Sequence, residues 1–223
     1  MSLAKLLGEE FLSSEHCIRA FTHRSVSSKN NERLEFLGDS LLGFFIAAWL
    51  FEHFPSYPEG DLTRIRAYLV KKDTLAKIAR EHDLGKHLVL GAGELKTGGI
   101  RRSSILADAL EALIGAVYTS QGFEEACNFV EKLYATRLDS IPTIEQLKDA
   151  KTRLQELLQS NGQVLPIYKI VEKHGKSGNE TFSVQCVIEN CPETFIGVGA
   201  SRRKAEQEVA ELAYEFITKQ INS

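Results

Sequence analysis

Asn31-Glu32-Arg33-Leu34-Glu35-Phe36-Leu37-Gly38-Asp39-Ser40 opens the longest apolar stretch of the chain. At about 100° per residue, a helix here places Glu35 and Asp39 within roughly 40° on one face, with Glu32 about 60° to the side. Three acids on one stripe repel each other. Asp39 is embedded in apolar sequence, between Leu37 and Leu41-Leu42, where a carboxylate calls for a compensating charge. Phe36, Leu37, Leu41, Phe44, Phe45 and Ala48 follow helical spacing and make the helix apolar around much of its circumference. Pro55 and Pro58 end it.

A second acidic pair lies in Leu106-Ala107-Asp108-Ala109-Leu110-Glu111-Ala112-Leu113-Ile114-Gly115. Asp108 and Glu111 stand three apart on a helix that is otherwise almost wholly apolar. If the two helices pack face to face, they pool four carboxylates in an apolar setting. An oxygen-only set of this density selects a hard cation, Mg²⁺ or Mn²⁺, which can activate water and stabilise charge on a phosphate. The alternative at this stage is a solvated acidic face, the usual meaning of an i,i+3 acidic pair on a helix.

The rest of residues 1–141 reads as helices with polar breaks. One starts near Asp61, read as its cap, and runs through Ile65, Leu69 and Val70, with Leu75, Ile78 and Ala79 continuing the pattern. A glycine-rich loop spans Gly91 to Gly99. Ser104 opens the helix Ile105–Tyr118, and Phe123–Leu138 is another. No strand run precedes residue 160. Residues 142–149, beginning Pro142-Thr143, read as a linker. Over 150–220 the period changes. Lys151–Gln159 is a short helix ended by Asn161-Gly162. Ile167–Lys173, Phe182–Ile188 and Phe195–Gly199 are strands. Ser201 caps a last helix with Ala205, Val209, Leu212, Ala213 and Phe216 inward. The expected fold is an all-α N-terminal domain followed by a small α+β domain, α-β-β-β-α, with both helices on one face of an antiparallel sheet.

The chain has 27 Lys/Arg against 30 Asp/Glu, a net charge of −3. Residues 1–145 hold 17 and 20 of these, and residues 146–223 hold 10 and 10. A nucleic-acid binder without a basic excess must concentrate its cations locally or borrow charge from metal ions. One Trp among 223 residues argues against an aromatic base-stacking platform. Cys17, Cys127, Cys186 and Cys191 form no C-x-x-C pair, which excludes a zinc or disulfide framework and fits reduced thiols in the cytoplasm. The N-terminus lacks a signal pattern. The apolar run from Leu41 to Phe54 is interrupted by Gly43, Glu52 and His53, so it reads as a core helix and no membrane is expected.

Asn31–Ser40 resembles the signature motif of the ribonuclease III family. Arg101-Arg102-Ser103-Ser104-Ile105-Leu106-Ala107 with Asp108–Gly115 resembles its second active-site helix, and Thr22-His23-Arg24-Ser25 and Pro58-Glu59-Gly60-Asp61-Leu62 are similar to other family patterns. The resemblance covers essentially the whole chain. It implies a catalytic domain whose metal ligands are Glu35, Asp39, Asp108 and Glu111, with Glu32 and Glu59 near the active-site valley. It implies Phe36 as a plug into a socket on the partner of a homodimer. The implied chemistry is hydrolysis of double-stranded RNA by Mg²⁺-activated water (Mn²⁺ substituting), with no organic cofactor. Products carry 5′-phosphate and 3′-hydroxyl ends with short 3′ overhangs, and the substrates are ribosomal, messenger and transfer RNA precursors.

Ser201-Arg202-Arg203-Lys204 gathers three cations where a helix begins, next to its free N–H groups. Thr152 and Gln155 lie off the apolar stripe of the preceding helix, where polar groups reach the 2′-hydroxyls of a shallow minor groove. Lys151–Phe216 resembles a double-stranded-RNA-binding domain, which carries RNA contacts onto Thr152, Gln155, Glu156 and the 201–204 cluster. Gly175-Lys176-Ser177-Gly178 departs from the Gly-Pro-x-His turn frequent in that domain, leaving backbone atoms or Lys176 as the candidate loop contact. Lys96, Arg101 and Arg102 flank glycines before the Asp108 helix and are read as contacts to the duplex backbone. This glycine loop is not a Walker motif.

Two other readings compete. A non-catalytic regulator that binds double-stranded RNA would not need all four acids. A di-iron or di-manganese carboxylate bundle would carry Glu-x-x-His motifs, and neither Glu32, Glu35, Asp108 nor Glu111 has a His three residues on.

Overall fold

Every residue from Ile105 to Val117 is buried except Asp108 and Glu111. That pattern organises the first half of the protein. In this computed structural model, which describes residues 3–175 and 180–221, the chain divides into two compact units, Met1–Pro142 and Thr143–Ser223.

The first unit is helical. Short helices α1 (Leu3–Leu7), α2 (Glu9–Leu12) and α3 (Glu15–Phe21) lead into the long α4 (Glu32–His53). Then come α5 (Glu59–Val70), α6 (Lys72–Glu81), α7 (Ala92–Lys96), α8 (Ser103–Gln121) and α9 (Phe123–Leu138). Helix α8 is the hub and packs on α3, α4, α6 and α9, with α4 its most extensive partner. Among the described residues of this unit, the only β pairing is an isolated parallel bridge between Thr22 and Val89.

Local details differ from the sequence expectation. Helix α5 starts at Glu59, with Pro58 extended before it, so Asp61 is not its cap. Asp61 sits in the first turn and pairs with Arg64 at 3.0 Å. Lys71 is extended (φ −66°, ψ 148°) and separates α5 from α6, where the apolar pattern alone reads as continuous. The glycine-rich 91–99 segment contains α7. Helix α8 begins at Ser103 after an extended Arg102. Helix α4 is long and apolar enough to cross a membrane by length and composition. Its buried residues Leu34, Gly38, Leu42, Phe45, Ile46 and Leu50 form one stripe, while Phe36, Phe44 and Phe51 are exposed.

The glycines Gly38 and Gly115 set the distance between α4 and α8. A Cβ on Gly38 would lie 1.8 Å from the Glu111 carbonyl oxygen, and one on Gly115 would lie 2.3 Å from the Leu34 carbonyl oxygen. Only glycine permits such backbone contact. A mid-helix glycine costs up to about 1 kcal/mol in propensity, so two at one crossing signal a packing need.

The second unit holds α10 (Ile144–Leu147), α11 (Ala150–Ser160), β1 (Ile167–His174), β2 (Thr181–Val187), β3 (Phe195–Gly199) and α12 (Arg202–Ile221). Helix α10, in the segment read as a linker, closes a capping box between Thr143 and Gln146. The strands form one antiparallel sheet in the order β1-β2-β3. Leu154 and Leu158 of α11, Val184, Cys186 and Phe195 of the sheet, and Ala205, Val209, Ala210 and Ala213 of α12 make the core. Gly197 and Gly199 let α12 lie directly on β3, since a Cβ on Gly197 would be 2.4 Å from the Val209 nitrogen. Small residues face this contact, and Leu212, expected inward, is instead exposed. Gly162 ends α11 at φ +70°. The four cysteines are free.

Candidate active site and RNA-binding surface

Because α4 and α8 touch at backbone level, their acids meet. Carboxylate oxygens of Glu35, Asp108 and Glu111 all lie within 4.8 Å of one another. They line a cleft of about 560 Å³ with His23, Arg24, Asn31, Glu32, Phe36, Asp39, Glu94, Arg102, Ser104 and Ile105. Asp39 stands on this cleft but is exposed, contrary to the burial its apolar neighbours imply. The buried stripe of α4 runs through residues 34, 38 and 42, and position 39 lies about 100° from position 38.

The electrostatics are those of crowded acids. Burial raises the Glu111 pKa to about 8, and Asp39, Asp108 and Glu35 add to the effect. Glu35 is raised by burial and then by Asp108 and Glu32, with Arg24 opposing. Asp108 is raised by burial, with Lys72, His23 and Arg24 opposing. At neutral pH Glu111 therefore favours its protonated form unless a cation joins these oxygens. Three carboxylates at this spacing, without nitrogen or sulfur donors, fit a hard divalent ion. Glu35, Asp108 and Glu111 are the residues that could hold it, with Asp39 alongside.

In the second unit, Ser201 accepts a hydrogen bond from the Lys204 backbone N–H at 3.2 Å and so starts α12. Arg203 and Lys204 are exposed. Arg202 donates to Glu206 at 2.7 Å, and Lys151 donates to the same carboxylate at 2.7 Å. Burial alone would raise Glu206, but these two hydrogen bonds hold its pKa below the ordinary value. Arg202 is therefore half committed to the fold. Thr152 is tied to the N-cap Asp149, its backbone N–H donating at 3.0 Å and its hydroxyl at 3.2 Å. Gln155 is partly exposed, and Glu156 pairs with Lys148.

Residues 14–138 match the family model described as Ribonuclease-III-like, and residues 150–217 match the Double-stranded RNA binding motif. The chain is 51% identical over 211 residues to Ribonuclease 3 of Buchnera aphidicola subsp. Acyrthosiphon pisum (strain Tuc7), covering 95% of this chain and 93% of that protein. The chain belongs to the ribonuclease III family. Ribonuclease 3 of Vibrio vulnificus (strain YJ016) is 50% identical over 216 residues, covering 97% and 96%. A solved nuclease domain of ribonuclease III from Campylobacter jejuni superimposes with a TM-score of 0.57 at 38% identity. It covers 61% of this chain and 99% of that one, and its description concerns flexibility in a region involved in dimer formation. This chain is thus a ribonuclease of that family with a double-stranded-RNA-binding motif, and the family is metal-dependent.

Of the residues singled out from the sequence, Glu35, Asp108 and Glu111 converge and Asp39, Glu32, Phe36 and Arg102 line the same cleft. Arg102 is engaged there by Glu94 at 2.8 Å and Thr97 at 3.0 Å. Glu59 is not a cleft-lining residue. It begins α5 and accepts from the Thr63 hydroxyl at 2.7 Å. Lys96 and Arg101 are exposed outside the cleft lining. Lys176 lies outside the described residues. The sequence reading gave no role to Gly38, Gly115, His23 or Arg24, although each falls inside a quoted motif. Glycines in mid-helix beside carboxylates were the available signal.

Proposed function

We propose that this protein is an endonuclease that hydrolyses phosphodiester bonds of double-stranded RNA at the cleft between α4 and α8, using Mg²⁺ (or Mn²⁺) held by Glu35, Asp39, Asp108 and Glu111. The observation that carries the reading is the convergence of Glu35, Asp108 and Glu111 oxygens within 4.8 Å. The ion, when bound, supplies Lewis acidity toward a phosphate and makes water a nucleophile at neutral pH. The protein's own part is to fix the oxygens. Glu111 and Asp108 project from a helix buried on nearly all sides, so their backbone cannot retreat from their mutual repulsion. Burial and the neighbouring acids push the Glu111 pKa up to about 8, so at neutral pH it would favour the protonated form without an ion and would release that proton as a ligand.

The two-unit organisation supports a division of labour. The α11–β–α12 unit grips the duplex by shape through Thr152, Gln155, Glu156, Ser201, Arg202, Arg203 and Lys204, with Lys176, Lys96, Arg101 and Arg102 as further cations along the backbone. Glu32 would be an accessory acid of the valley, and Glu59, outside the cleft lining, is left without a role in it. Phe36 (78% exposed), Phe44 (56%) and Phe51 (77%) leave an apolar face on α4 uncovered. Such a face favours a homodimer with Phe36 as a contact. Two sites in a dimer would cut both strands with a short stagger, leaving 5′-phosphate and 3′-hydroxyl ends with 3′ overhangs. The substrates under this reading are precursors of ribosomal, messenger and transfer RNA in the cytoplasm.

Mapping ends on a long perfect duplex tests this directly. Staggered 5′-phosphate ends in Mg²⁺ and none in Ca²⁺ are expected. Binding without cleavage in Mg²⁺ or Mn²⁺ would instead leave the chain a regulator that binds double-stranded RNA.

A further inference from the structure

Six carboxylates line the cleft, those of Glu32, Glu35, Asp39, Glu94, Asp108 and Glu111, against two guanidinium groups, those of Arg24 and Arg102. A polyanion entering such a site needs a local cation that is free to meet it. Arg102 is already bound to Glu94 and Thr97. His23 has one ring nitrogen occupied. Its Nδ1 accepts from the Ser25 backbone N–H at 3.2 Å and lies 2.8 Å from the Ser25 hydroxyl, which leaves Nε2 as the ring's donor. Arg24 is different. Among the described residues its one ion pair is with Glu32 at 3.5 Å, the two side chains 71% and 52% exposed, while Glu35 and Asp108 feel its charge without pairing with it. Such a pair contributes at most about 1 kcal/mol, so a phosphate can displace the carboxylate at little cost.

The backbone that carries Arg24 is fixed. The His23 N–H donates to the Val89 carbonyl at 3.0 Å, and the Asn31 N–H donates to the Thr22 carbonyl at 2.9 Å. Arg19 Nε donates to the Asn30 carbonyl at 3.0 Å. The Gly91 N–H donates to the Ser25 hydroxyl at 2.9 Å, and a Cβ on Gly91 would fall 2.6 Å from the Ser25 carbonyl oxygen. A long, exposed cation thus stands on a closely hydrogen-bonded turn at the lip of the acid cluster. Glu32, for its part, is not among the converging oxygens. It accepts from Asn30 Nδ2 at 3.1 Å and faces Arg24.

We propose that Arg24 binds an RNA phosphate flanking the scissile one, and that Glu32 acts through Arg24, as its tether when no RNA is bound, not as a metal ligand. The guanidinium exchanges one carboxylate for a bidentate phosphate contact. This rests on the cleavage reading above, and the test separates the two.

Duplex RNA binding to the full chain would be measured in Ca²⁺ as a function of salt, Mn²⁺ binding by electron paramagnetic resonance without RNA, and cleavage kinetics in Mg²⁺. Arg24→Gln should weaken duplex binding about tenfold and lower the salt slope by about one, with Mn²⁺ affinity retained or slightly raised, since a cation near Glu35 and Asp108 is lost, and Arg24→Lys partly restoring binding. Glu32→Gln should lower Mn²⁺ affinity by no more than about a few-fold, the effect of one nearby charge. Its effect on KM should vanish in the Arg24→Gln background. An unchanged salt slope and KM in Arg24→Gln would overturn the phosphate assignment. A fall of Mn²⁺ affinity by about tenfold or more in Glu32→Gln, with or without Arg24, as loss of a ligand would cause, would overturn the tether. If the wild type cuts no duplex, the cleavage reading fails, and the Ca²⁺ binding arm still decides on Arg24.

Discussion

At the cleft, the side chains that matter are partly buried on helices locked by glycine contact. At the start of α12, Arg203 and Lys204 are exposed and ordered by one serine cap. The first arrangement stores repulsion. It raises Glu35, Asp108 and Glu111 together and keeps their oxygens close. The second stores nothing, and its cations cost little to hold and little to move. The difference matches what each must meet. A small, strongly hydrated ion demands fixed geometry. A duplex read by shape tolerates long side chains that adjust to phosphate positions.

The contrast breaks most visibly if the helix crossing is disturbed. Gly38→Ala would drive a methyl into the Glu111 carbonyl, which is backbone and cannot rotate away. Loss of at least about 3 kcal/mol of stability is expected, read as a large fall in the thermal midpoint. An unchanged midpoint would show that the crossing can widen freely.

Next in size is Glu111→Gln, expected to reduce cleavage about 10²–10³-fold while duplex binding in Ca²⁺ stays near wild type. The same variant carries a second, opposite effect in chelator. The folded-state pKa of Glu111, about 8, lies above the ordinary 4.5. The stability this group contributes is therefore whole below about pH 4.5 and lost as pH rises toward 8. Glutamine removes that loss, so metal-free Glu111→Gln should melt higher than wild type at pH 8, by about 5 °C, and show little gain at pH 4.5. A lower midpoint at pH 8 would contradict the stored repulsion.

The smallest effects belong to the other region. Arg203→Ala and Lys204→Ala should each weaken duplex binding a few-fold and each lower the salt slope by about one, with cleavage positions unchanged. A shift of cleavage positions would mean that this surface selects the site and does not merely grip.

Much of this is legible in the sequence. The helical spacing of Phe36, Leu37, Leu41, Phe44, Phe45 and Ala48 points to α4, although of these only Phe45 lies on its buried stripe, and the acids three and four apart on two apolar helices point to the cluster. Phe123–Leu138 and Phe195–Gly199 have the boundaries the pattern implies. What stayed hidden depends on distances between elements. Gly38 and Gly115 become intelligible only when two helices are seen to touch. Asp39 reads as buried because its sequence neighbours are apolar, yet burial follows angle around the helix and not adjacency along the chain. Leu212 reads as inward by spacing, but the contact of α12 with glycine-bearing β3 admits alanine and valine and leaves leucine outside. Arg202 looks free in sequence, and a carboxylate one turn on claims it. The exchangeable Arg24–Glu32 pair could not be read from spacing either, since it joins a loop to the first turn of α4.

A crystal soaked in Mn²⁺ and measured at the manganese absorption edge addresses the central claim. The account predicts an anomalous peak among the oxygens of Glu35, Asp108 and Glu111, with Asp39 turned toward it, and no peak in Glu111→Gln under the same soak. A wild-type crystal with no peak there, or a Glu111→Gln crystal with an undiminished one, would contradict it.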